Sequence, residues 1–202
     1  MVSATERDAA WTNWVAFHDL HPTNNGDAAS TTLGFTHGAA FGLTNALTTQ
    51  RIDGVSLTLR YFDKNGVEKP TSAVLDNSAL ANPANGTHAA TLFTNYVKPN
   101  AVYTLQSTTD YAVVTVSGLQ ADRKYGIGLF INRGAYTPRA RFTLQDATNF
   151  TAAGSAGIGD CSDGDPATYE VEVNNTTRGY VAMWTNLTPT GNGGTSFSVK
   201  QD

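Results

Sequence analysis

Between Val55 and Tyr61 every second side chain is apolar: Val55, Leu57, Leu59 and Tyr61 alternate with Ser56, Thr58 and Arg60. Successive side chains of an extended chain point to opposite faces. A period of two therefore makes a strand with one face in a core and the other in water. Asp63-Lys64-Asn65-Gly66 follows, and these are turn residues, with Asn-Gly tolerating positive φ. Residues 51–69 thus read as a hairpin.

Similar patterns recur down the chain. "AVYTLQ" and "YAVVTVSGL" are short and rich in β-branched or aromatic residues. "KYGIGLFINR" sets Tyr125, Ile127, Leu129 and Ile131 on one face and Gly126 and Gly128 on the other. "WTNWVAFHD", "RARFTLQDA", "TYEVEVNN", "GYVAMWTNL" and "TSFSVK" complete a set of about nine or ten strands separated by turn signals. That number in one chain predicts an all-β fold, an antiparallel β-sandwich of jelly-roll type. Helix is expected at most once or twice. The best segment is "HAATLFTNYVK", where Leu92, Phe93, Tyr96 and Val97 recur at helical spacing. Residues 22–50 and 152–167 read as long irregular stretches. With no internal repeat and no Pro-rich linker, residues 1–202 read as a single domain.

Composition narrows the function classes. Charged residues are 15% of the chain, against about 25% in an average soluble domain. Thr, Asn, Ser and Gly supply the remaining polarity. Such a surface suits secreted all-β proteins, and the expected location is secreted or cell-surface. Met-Val-Ser-Ala carries no apolar signal core, so either the chain is cytosolic or a leader has been removed, and the composition favours the second. The net charge is −4 and Lys and Arg are not clustered, which argues against nucleic-acid binding. No apolar run reaches the ~20 residues of a membrane span. Cys161 is the lone cysteine, so no intrachain disulfide is available and packing must hold the fold.

Two polar clusters could bind cations. "WVAFHDLHP" gathers His18, Asp19 and His21, residue types that ligate zinc. On a strand His18 and Asp19 face opposite sides, so a shared ion needs a bend between them, and the competing reading is a strand end bonded to turn backbone. "GIGDCSDGDPATYE" holds Asp160, Asp163 and Asp165 in a Gly-punctuated loop. Close carboxylates of this kind suit a structural calcium ion, although the spacing lacks the ligand series of an EF-hand. The alternative is a solvated acidic turn.

Enzyme motifs are mostly absent. There is no G-x-S-x-G elbow, no P-loop and no dinucleotide fingerprint. Glu170 and Glu172 share a strand face, an arrangement more common in a solvated stripe than in a glycosidase pair. A hydrolase or lyase built on His18, Asp19 and His21 stays as one alternative. A structural or adhesion subunit that self-associates through strand edges is another.

"VSGLQADRKYGIGLF" resembles the entry to a late strand of fibronectin type III modules, which implies Leu119 in the core and Tyr125 as a corner tyrosine. More widely, "WVAFHD", "LFTNYV", "YTPRARFTL" and "GYVAMWTNLTP…GTSFSV" resemble non-catalytic β-sandwich modules of large secreted bacterial proteins, of the carbohydrate-binding or fibronectin-III-like kind. That resemblance implies an extracellular unit that holds polysaccharide, and it assigns no binding residues. On chemistry, a sugar needs an exposed aromatic for its CH face and polar groups for its hydroxyls. "INRGAYTPRAR" offers Tyr136 with Arg133 and Arg139, and Trp11 is a further candidate. Trp14 and Trp184 lie inside strand patterns and read as core.

Overall fold

The structure, a computed structural model, describes residues 2–4, 14–19, 38–40, 49–52, 55–69, 83–93, 109–132, 139–160 and 164–202. In chain order its strands begin with β1 (Val2–Ala4), β2 (Trp14–Asp19), β3 (Gly38–Ala40), β4 (Thr49–Ile52), β5 (Val55–Phe62) and β6 (Glu68–Lys69). Helix α1 (His88–Phe93) comes next, then β7 (Tyr111–Ser117), β8 (Tyr125–Leu129), β9 (Arg139–Gln145) and β10 (Ala147–Thr148). The last are β11 (Thr151–Ala152), β12 (Gly159–Asp160), β13 (Thr168–Glu172), β14 (Ala182–Pro189) and β15 (Ser196–Gln201).

This is an all-β fold of two sheets. One runs β10-β14-β8-β1-β2-β3, with β11 also on β14; the other runs β12-β13-β9-β15-β7-β5-β4, with β6 also on β5. All pairings are antiparallel except β2 with β3. The long strands fall where the alternation of apolar residues predicts them. The additional ones are short, β1, β3 and β4 of three or four residues and the two-residue pairings β6, β10, β11 and β12, too short to leave a periodic signal. β3 and the start of β4 fall within residues 22–50 and β12 within 152–167, stretches read from the sequence as irregular. "AVYTLQ" lies largely outside the described residues.

Alternation becomes burial in the expected way. In β7 Ala112, Val114 and Val116 are buried, while Tyr111, Val113, Thr115 and Ser117 lie on the other face and are half-exposed. One buried cluster then joins Phe142, Leu144, Tyr169, Val171, Phe197 and Val199 of the eight-stranded sheet to Tyr125, Ile127, Trp184 and Leu187 of the other. The rings of Tyr169 and Trp184 meet at 5.0 Å across it. Trp184 is fully buried, and its indole N–H donates to the Pro166 carbonyl (3.0 Å). A bulge keeps β14 in register with this core. Asn186 has a φ of 54°, the pairing with β8 shifts between Trp184 and Leu187, and both of those side chains therefore turn inward.

Two local devices fix the ends of strands. The Tyr125 hydroxyl accepts from the Gln120 amide (2.8 Å) and Leu119 is buried, which is the corner geometry implied by the Gly-Leu…Tyr segment. The hairpin after β5 closes as the turn residues predict. Asp63 Oδ1 accepts from the amides of Asn65 and Val67, and Gly66 takes the positive φ of 80°. Asn65 itself has no positive φ, because a four-residue turn assigns that conformation to the glycine alone.

Candidate functional site

The outer face of the eight-stranded sheet carries the densest chemistry among the described residues. Register builds it. Tyr61 pairs with Ala112 on the core face, so the next pair, Phe62 and Tyr111, must lie outside. Their rings stack with centroids 5.1 Å apart and planes at 17°. The Arg60 guanidinium sits 5.2 Å from the Phe62 centroid, and Lys200 Nζ sits 4.6 Å from that of Tyr111. Both rings are half-exposed. The hairpin turn supplies the group that holds Arg60 there. It sets Glu68 opposite Phe62, and Glu68 takes two hydrogen bonds from Arg60, at 2.9 and 2.5 Å. This pairing holds the Glu68 carboxyl below the usual carboxylate range and keeps Arg60 more firmly protonated. Lys200 is held in the same way by Asp202 (2.6 Å).

The face continues across β15 and β9 to β13. Lys200 stands between Thr143 and Val113, and Val113 stands opposite Arg60. The next row is Gln145, Ser198, Thr115 and Thr58. At the far side Arg139 and Arg141 approach Glu170 (3.4 and 3.7 Å), while Glu172 pairs with Arg178 (2.8 Å). The two glutamates expected to share a strand face do so, and each faces arginine rather than a second carboxyl. Positive and negative groups nearly cancel over the whole face. It offers apolar ring surface, hydroxyls, amide and paired charges, which suits a ligand of many hydroxyls and little net charge.

Of the residues singled out in the sequence, Arg139 is on this face, at the first position of β9. Arg133, Tyr136, Trp11, His21 and Asp163 lie outside the described residues. His18 and Asp19 end β2 and pair with Ala39 and Ala40 of β3. Asp160 ends β12. Asp165 shapes the turn into β13: its Oδ1 accepts from the Ala167 amide and its carbonyl from the Thr168 amide and hydroxyl. Among the described residues no three His, Cys, Asp or Glu side chains are gathered for a metal ion. Among the described residues no helix is long and apolar enough to cross a membrane.

Protein-family models, curated proteins and solved structures gave no match to this chain. What the site can do therefore rests on its own geometry.

Sequence reasoning missed the Phe62–Tyr111 pair because its members are 49 residues apart and each ends a strand pattern on its polar side. One signal was present: Arg60 and Phe62 are two apart on a strand, which places them on one face. A second missed contact joins His88 to Ser155, with Nδ1 and Oγ 2.7 Å apart. It resembles the start of a nucleophilic dyad, but Ser155 is 7% exposed. Ser155 Oγ also accepts from the Val181 amide (2.8 Å), which ties the pair to the backbone beside it.

Proposed function

We propose that this chain is a non-catalytic, extracellular β-sandwich module that binds neutral polysaccharide on the outer face of its eight-stranded sheet. The observation that carries the reading is the Arg60–Phe62–Tyr111–Lys200 row, an aromatic pair bordered by hydrogen-bond donors and by the carboxylates of Glu68 and Asp202. A pyranose lays its CH face on the rings and its hydroxyls reach the charged groups. The two cations must slide aside for this. An exposed cation–π contact contributes about 0.5–1 kcal/mol. Covering roughly 100 Å² of apolar surface returns about 2.5 kcal/mol, so stacking wins while the displaced cations keep their carboxylate partners. Arg139 opens β9 on this face, and Arg133 and Tyr136, a few residues before it in the chain, are proposed as a second contact.

The near-cancellation of charge supports a neutral polymer over a uronate or sulfated one. Titrating a panel of soluble and insoluble polysaccharides by affinity electrophoresis and pull-down tests the reading. Phe62→Ala with Tyr111→Ala is expected to abolish retention by the neutral glycan that wild type binds. Tyr136→Ala weakens it less. Retention unchanged in the folded double variant would remove this face from the account.

A further inference from the structure

The His88–Ser155 contact belongs to a latch. Residues 83–91 have no side-chain partner across a strand ladder, yet Pro83 and Ala89 are buried. Among the described residues, Thr87 packs directly against Gly179 and hydrogen bonds hold the segment down. The Ala84 amide donates to the Thr176 carbonyl (2.7 Å), the Ala89 amide donates to the Gly179 carbonyl (2.9 Å), and His88 meets Ser155. Thr87 caps α1, its hydroxyl oxygen accepting from the Ala90 amide (3.2 Å). The partner loop, residues 174–180, is itself tied to the end of the segment after β8. Asn132 Oδ1 accepts from the Asn175 amide, and Asn132 Nδ2 donates to Thr176 Oγ1.

The neighbours of Ser155 favour one direction for its hydrogen. Ser155 Oγ already accepts from the Val181 amide (2.8 Å). Oγ has a second lone pair, but its one hydrogen also needs an acceptor, and among the described residues His88 Nδ1 is the partner that supplies one. We therefore assign Nδ1 as the bare, accepting nitrogen, with the ring proton on Nε2. Among the described residues Oγ has no other hydrogen-bond partner. When His88 gains a proton, Nδ1 becomes a donor and the serine hydrogen loses the one acceptor it has among the described residues, inside a buried site. A buried donor without a partner is costly.

We propose that neutral His88 latches residues 83–91 onto the 174–180 loop, and that protonation of the ring at mildly acidic pH releases them. Burial lowers the pKa of His88 from its ordinary 6.5, which agrees with a docked state that prefers the neutral ring. The sign follows. Above the unfolded value of 6.5 the latch is whole; as pH falls from there toward the lowered value of the docked state, the undocked form takes up the proton first and docking weakens. Other titratable groups on the packed segments, among the described residues, are Arg178 and Tyr180. Arg178 is paired with Glu172 and lies 6.0 Å from the Tyr180 ring, and the Tyr180 hydroxyl lies against Gly157. The 153–158 turn and the rest of residues 83–93 carry none.

The test is amide hydrogen exchange of the full chain at about pH 8 and about pH 5, a span in which only histidine ordinarily titrates. Rates are corrected for intrinsic exchange and read against the amides of β7. Protection of the Ala89 amide is expected to fall several-fold at the lower pH in wild type. His88→Asn keeps an acceptor at the δ position and cannot titrate, so its protection should stay constant. Equal protection of wild type at both pH values overturns the latch, as does an equal loss in His88→Asn. Nitrogen-15 NMR of the wild-type imidazole gives a check that needs no variant. A bare Nδ1 at neutral pH is expected, and a protonated Nδ1 contradicts it.

Discussion

Single side chains hold this fold at points where the backbone would otherwise be unsatisfied. Asn175 is the clearest case. It is 1% exposed, its Nδ2 donates to the carbonyls of Ile131 and Tyr180, and its Oδ1 accepts from the Tyr180 amide. In sequence it reads as the first residue of an Asn-Thr-Thr sequon; in the fold it is a buried corner post with no room for a glycan. Asn175→Ala strands three backbone groups and should cost about 2–4 kcal/mol, read as a shift in the urea midpoint at constant slope. Tyr125→Phe removes only the corner hydroxyl, and about 1 kcal/mol is expected in the same assay. Gly154 shows the opposite constraint. A Cβ there would lie 2.7 Å from the Tyr169 ring, whose hydroxyl accepts from the Gly154 amide. Gly154→Ala should therefore cost about 1–3 kcal/mol by overpacking.

Elements show which part of the fold was legible in the sequence. Strands such as β5, β7 and β9 alternate cleanly, so both their existence and their buried face follow from Tyr61, Val116 or Phe142 and the residues beside them. The hairpin after β5 was legible through its turn chemistry. Asp63 makes that chemistry testable: hydrogen bonds from the Val67 and Asn65 amides, with nearby lysines, lower its pKa from 3.8. Its folded value lies below its unfolded one, so the turn is intact above pH 3.8 and loosens as pH falls through the lowered value. Carbon-13 NMR of the Asp63 carboxyl should give a midpoint under 3.8, and Asp63→Asn should erase the matching shift of the Val67 amide. The two-residue strands were not legible, because a pairing of Thr151 with Thr185 depends on where β14 runs and not on any local pattern. Helix α1 covers the first part of the segment read as helical, Tyr96 and Val97 of its apolar spacing lying outside the described residues, and His88 meets its partner Ser155 67 residues away.

At the scale of the molecule, two sheets share one core and the eight-stranded sheet keeps a rich outer face. The fold class was written in the alternation. The site was not, since an outer face is assembled by register among β5, β7, β9, β13 and β15, and local sequence carries no record of that order. Loop residues such as Tyr136 attract notice because an aromatic at a loop tip has little core to join; Phe62 and Tyr111 escape it because they blend into strand ends. Glycan recognition on this face is the central claim, and the measurement that meets it most directly is an amide chemical-shift map of the protein titrated with a neutral oligosaccharide from the polymer it retains. Shifts should concentrate on Arg60, Phe62, Tyr111, Val113 and Lys200 and spare β8 and β14. Shifts centred on β8 and β14, or saturation with no change at Phe62 and Tyr111, would contradict it.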